Sequence, residues 1–128
     1  MTATPFNLEA LHLALAGEPA IVFAYLFGST VSGATSALSD IDVAIHPDRR
    51  LSLDERLGII QRLIKKTGWE NLDVTFLDRL ENLYLLNHII TSGVLLLDCD
   101  RHRRELFEVR AQHRLFDFQY QRKLYLGE

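Results

Sequence analysis

The chain predicts an α/β (α+β) fold, a small mixed β-sheet flanked by helices, and three observations carry that expectation. Segments with apolar residues at helical spacing alternate with short runs of strand length. The helical segments carry their own start and stop signals, and the strand-like runs begin or end at Pro or Gly. The resulting order is α-β-(short α)-β-α-β-α-β-α.

Asn7 to Ala16 predicts a short helix with Asn7 as N-cap and Leu8, Leu11 and Leu15 at helical spacing. Ala20 to Phe27, an apolar run after Pro19, predicts a buried strand. Gly28 to Ala37, rich in Gly, Ser, Thr and Ala, predicts a loop or short helix. Asp40 to Ile45 alternates polar and apolar residues, and Pro47 stops that strand. Ser52 and Glu55 form an S-x-x-E capping box for a helix whose apolar face is Leu53, Leu57, Ile60 and Ile64, closed by Gly68. Asn71 to Leu77 predicts a third strand, with Leu72, Val74 and Phe76 on one face and Asp73 and Thr75 on the other. Arg79 to Thr91 predicts a helix, Gly93 a turn, Val94 to Leu97 a strand, and Asp100 to Leu124 one long helix.

A length of 128 residues, 48% hydrophobic and 24% charged, suits one domain over residues 1–128. No apolar run approaches the roughly 20 residues that span a bilayer. The N-terminus has no basic stretch and carries an early Pro5 and Glu9, which argues against a signal peptide. Cys99 is the only cysteine, so no internal disulfide forms and a reducing compartment, the cytoplasm, is expected. Net charge is −3, and seven of the 14 Lys and Arg residues fall in the last 28 positions. Asp100, Glu105, Glu108 and Asp117 are mixed among them, a pattern that suits a solvated helix face and does not favour a nucleic-acid surface.

The segment LFGSTVSGATSALSDIDVAI carries the chemistry. Gly28 and Ser29 follow a strand, where glycine lets a phosphate approach the backbone and a helix start offers free N–H donors. Asp40 and Asp42 alternate along a strand, so their carboxylates point the same way. Like charges so placed repel, and a divalent cation removes the penalty; Mg²⁺ takes carboxylate, water and phosphate oxygens. Asp73, in the otherwise apolar LDVTF, completes a carboxylate triad able to hold two metals, Asp73 also serving as general base.

A GS turn, ten residues, D-x-D and a strand Asp about thirty residues later resemble the DNA polymerase β-like nucleotidyltransferase superfamily. The surroundings are similar to its minimal nucleotidyltransferase (MNT) antitoxin branch, and the likeness covers nearly the whole chain. By position, the resemblance implies Gly28 and Ser29 as the triphosphate-binding turn. It implies Asp40 and Asp42 as metal ligands and Asp73 as the third carboxylate. Many relatives carry a basic residue shortly after the turn, where this chain has Ser32 before Gly33. The resemblance further implies Mg²⁺, ATP as substrate, and an antitoxin that transfers AMP to a tyrosine of a HEPN-type RNase toxin. Transfer to a small molecule or an RNA 3′ end, and neutralisation by binding alone, stand as alternatives.

Other residues have simpler expectations. The five histidines show no zinc spacing with the cysteine; His46 reads as a strand-end residue and His113 as a core or interface residue. Trp69 reads as a core-edge residue. The last helix has two apolar stripes, Leu106-Val109-His113-Phe116-Tyr120 and Phe107-Ala111-Leu115-Phe118. Either both pack internally or one docks a partner.

Overall fold

The computed structural model describes residues 7–28 and 40–127. Its elements are α1 (Leu8–Ala16), β1 (Ile21–Phe27), β2 (Ile41–Pro47), α2 (Leu53–Thr67), β3 (Leu72–Phe76), a 3-10 turn (Leu77–Arg79), α3 (Leu83–Ser92), β4 (Val94–Asp98) and α4 (Arg101–Leu126). Four strands form one mixed sheet in the order β3-β2-β1-β4. The central pair β1–β2 is antiparallel, as is β1–β4, while β2–β3 is parallel. The expected short element after Gly28 lies outside the described residues.

Local signals set the helix ends. Asn7 Oδ1 accepts from Glu9 N at 3.0 Å and Ala10 N at 3.3 Å, satisfying donors that the first turn leaves open. The capping box closes in both directions: Glu55 N donates to Ser52 Oγ at 3.2 Å and Ser52 N to Glu55 Oε1 at 3.1 Å. Gly68 takes the left-handed conformation, φ +77°, that ends α2. Asp100 caps α4 by accepting from Arg103 N at 3.0 Å.

One expected boundary moves. The helix anticipated from Arg79 begins at Leu83, because Asn82 Oδ1 accepts from Tyr84 N and Leu85 N, both at 3.1 Å, and fixes the start there. Arg79 instead donates to Leu51 O at 2.7 Å, which holds the preceding residues in the 3-10 turn.

Strand alternation divides the interior into two cores, one on each sheet face. Ile41, Val43 and Ile45 of β2, with Leu72 and Phe76 of β3, meet Leu11 and Leu15 of α1 and Ile59 and Leu63 of α2. Trp69 is buried in this core. Phe23 and Tyr25 of β1 and Ala44 of β2 meet Leu86 and Ile89 of α3 and Ala111 of α4. Glu18, buried between α1 and β1, is clamped by Arg62 of α2 through contacts of 2.7–3.1 Å.

The second core carries a polar bolt. Tyr25 donates to Glu108 at 2.6 Å, and Arg104 donates to Glu108 and to Asp98, each at 2.8 Å. Burial, then the hydrogen bond and charge of Glu108, push the Tyr25 phenol well above its usual range, so it stays a donor. α4 is thereby tied to β1 and β4. Among the described residues no helix is long and apolar enough to cross a membrane.

Replacing Asn82 with Ala should remove the α3 cap and cost about 1 kcal/mol. Urea unfolding, followed by far-UV circular dichroism, should show a lower midpoint at unchanged slope.

Candidate active site

Asp42 is the second residue of β2 and Asp73 the second of β3, and the parallel register places the two opposite each other. The antiparallel register on the other side sets Asp42 opposite Phe27, so one rung runs Phe27–Asp42–Asp73 across three strands. The core residues Ile41, Val43, Leu72 and Phe76 are on the α1–α2 side, so Asp42 and Asp73 project from the other face. Asp40 stands exposed immediately before β2.

Gly28 follows directly on Phe27 with φ +81°, a conformation that side chains rarely adopt. A Cβ built there would lie 2.3 Å from Asp42 Oδ2, so the missing side chain is also the space the carboxylate occupies. Gly28 was expected to admit a phosphate to the backbone; the structure adds that it admits Asp42. Ser29, the other half of the expected turn, and Ser32 lie outside the described residues.

The electrostatics report crowding. Partial burial, then the negative charges of Asp73 and Asp40, raise the Asp42 carboxyl above its ordinary range, and a hydrogen bond with Asp73 favours the protonated form further. Two of the three carboxylates thus adjoin in register, and the third is near enough to act on them.

Among the described residues no three His, Cys, Asp or Glu side chains are gathered tightly enough to cage a metal ion alone. Mg²⁺ does not demand such a cage. It binds through one or two carboxylates together with substrate phosphates and water, and an all-oxygen donor set suits it. Asp42, Asp73 and Asp40 could offer that set, beside the glycine whose missing side chain makes way for the Asp42 carboxylate.

Against this geometry, a family model described as Polymerase beta, Nucleotidyltransferase matches residues 9–102. The chain belongs to that family. Solved structures extend the likeness of this nucleotidyltransferase-family chain beyond the match. A toxin–antitoxin complex with AMP-PNP contains a chain 24% identical, covering 95% of this chain and 97% of that one, at a TM-score of 0.77. An MntA–HepT toxin–antitoxin complex gives 22% identity, 94% and 93% coverage, and a TM-score of 0.69. A complex of a tri-AMPylated Shewanella oneidensis HEPN toxin with its MNT antitoxin gives 21%, 94% and 97%, at 0.69. At these identities the likeness is one of fold. No curated protein matches the chain.

His46 shares the sheet face of Asp42 but stands at the opposite end of β2. It sits near the end of β2, stacked on Phe23 at 4.7 Å and meeting Phe107 edge-on at 4.8 Å. Burial, together with the charge of Arg103, keeps its imidazole below the usual range, so it packs as a neutral ring. Sequence reasoning missed the bolt of Tyr25, Glu108, Arg104 and Asp98. The two ends of its central bond are 83 residues apart, and no local pattern links them.

Without divalent metal, Asp42→Asn should stabilise the fold at neutral pH. The ordinary carboxyl value is 3.8 and the folded one is higher, so the native state loses stability as pH rises and Asp42 ionises. The amide never ionises. Its advantage should open above about pH 3.8, grow until the raised value is passed, and hold level from there to neutrality. Thermal melts in EDTA across a pH series measure the difference, and equal midpoints at pH 7 would refute crowding at Asp42.

Proposed function

We propose that this chain is a Mg²⁺-dependent adenylyltransferase acting as an antitoxin: it transfers AMP from ATP to a tyrosine hydroxyl of a HEPN-type RNase toxin. The observation that carries the reading is the in-register pair Asp42–Asp73 beside the positive-φ Gly28. Such crowding destabilises an apo protein and is relieved by a cation shared with a triphosphate. Family membership supplies the reaction class. The fold neighbours, one holding AMP-PNP and another a tri-AMPylated HEPN toxin, support ATP as donor and a HEPN protein as acceptor.

Gly28 and Ser29 receive the triphosphate, the first by leaving the backbone open and the second by its hydroxyl. Asp40 and Asp42 hold the metal at the triphosphate, and Asp42 with Asp73 completes a two-metal set. When bound, Mg²⁺ neutralises charge on the phosphates and lowers the pKa of the acceptor hydroxyl. Asp73, exposed at the second position of β3, accepts the proton from that hydroxyl. The acceptor oxygen then attacks the α-phosphorus and pyrophosphate leaves. A rigid strand pair fixes Asp42 and Asp73, so little reorganisation is needed at the moment of transfer.

The test is transfer of labelled AMP to a HEPN-type RNase toxin co-expressed with this chain. Asp42→Asn should abolish labelling and keep a native circular dichroism spectrum. Near wild-type turnover at saturating Mg²⁺ would overturn the metal-ligand role.

Ser29→Ala should weaken triphosphate binding more than metal binding. Losing a hydrogen bond to a charged group costs about 1.5–3 kcal/mol, roughly ten- to a hundredfold in affinity. Calorimetry with AMP-PNP reads this directly, and unchanged affinity would remove Ser29 from the turn.

A further inference from the structure

The helix α4 is apolar on two opposite faces, and the domain uses one. On the inner face Ala111 and Leu115 are buried, Phe107 packs 5.5 Å from the Phe23 ring, and the Phe118 ring lies 6.1 Å from Tyr84. On the outer face Leu106, Val109, Phe116, Tyr120 and Leu124 are exposed, Phe116 to 70% and Tyr120 to 56%. His113, also exposed, sits among them, so it is no core histidine. The stripe through Phe116 is therefore the free one along its whole length, whereas Phe107 belongs to the domain's own packing and Phe118, half exposed, keeps its contact with Tyr84.

Positions 106, 109, 113, 116 and 120 are spaced three, four, three, four, which is the seam along which one helix packs lengthwise on another. We propose that this seam docks a helix of the acceptor protein and so carries the standing contact between enzyme and acceptor. The inference rests on the reading of the chain as a protein adenylyltransferase. The area argues against a second copy as the occupant. The outer side chains remove roughly 500 Å² from water on this side, whereas a stable complex buries about 800 Å² per partner. A two-fold pair through α4 alone falls short. An acceptor whose hydroxyl must also reach Asp42 and Asp73 makes a second contact there, which adds to the area the seam supplies. Arg110 borders the seam and Arg114 lies further round the same side of α4, both exposed; charges at a rim govern association rate more than affinity.

The experiment compares the wild-type chain with the Phe116→Asp/Tyr120→Asp double variant. Both positions are exposed, so the variant should fold. Calorimetry with the same HEPN-type toxin should show complex formation weakened at least about tenfold. AMP-PNP affinity should be unchanged, and Arg114→Ala should bind within about twofold of wild type at physiological salt. Equal binding and equal labelling by the double variant, at acceptor concentrations below saturation, would overturn the inference and leave the adenylyltransferase reading intact. A wild-type chain that self-associates at micromolar concentration, with the variant monomeric, would assign the seam to a second copy and overturn it as well. A wild type that neither binds nor labels that acceptor would sink both readings together.

Discussion

The rung that sets Asp42 beside Asp73 is the constraint on which the rest of the molecule turns. Two carboxylates in adjacent strands repel, and Asp is a poor strand residue, so nothing local favours the arrangement. It persists because the parallel β2–β3 register is fixed from beneath. Ile41, Val43 and Ile45 alternate into the α1–α2 core with Leu72 and Phe76, and a slip by one residue would turn that whole apolar set to the other face. The stability spent on the repulsion is supplied by apolar burial one pleat away. Sites built for charged ligands commonly have this form, in which the apo protein holds a strain that the ligand relieves.

Keeping the rung accessible sets a different demand on the opposite face. α3 and α4 must cover Phe23, Tyr25 and Ala44 while leaving Asp73 in solvent. The polar bolt of Tyr25, Glu108, Arg104 and Asp98 fixes the first turns of α4 against β1 and β4, so coverage there is secured by directional bonds as well as by packing. With its early turns held, the remainder of α4 extends with an outer face that the domain does not use.

Much of this was legible in the sequence because its signals are local. Asn7, the Ser52–Glu55 box, Gly68 and Asp100 act within a few residues of themselves, and the helices they delimit lie where expected; the buried face of α2 does not, since Ile59 and Leu63 enter the core while Leu53 and Leu57 of the expected face are exposed. The start of α3 was misplaced because apolar spacing continues back past the cap, and only the hydrogen bonds of Asn82 decide it. The spacing of Asp40, Asp42 and Asp73 suggested convergence; their opposition in register depends on β3 lying beside β2, a tertiary fact. Gly28 was legible as a glycine needed for a turn, but its closeness to Asp42 Oδ2 was not. Nor was the choice between the two stripes of α4, since both have the same period and only the sheet tells them apart.

The bond between Tyr25 and Glu108 joins residues 83 apart, and β4 closes on β1 across nearly as long a stretch. Chain order therefore becomes order in time during synthesis on the ribosome. The carboxylate rung needs only β1, β2 and β3, and the first core is built mostly of α1, α2 and these strands, with Leu96 and Leu97 of β4 arriving later. Until α4 has left the exit tunnel the aromatic face of β1 has α3 alone to cover it. For the last part of translation Phe23, Tyr25 and Ala44 lack the side of their core that Phe107 and Ala111 supply. Long-range closures of this kind are slow and expose apolar surface while they wait. A chain interrupted before α4 keeps Asp40, Asp42 and Asp73 but lacks one side of the second core, and apolar surface left exposed in this way favours aggregation.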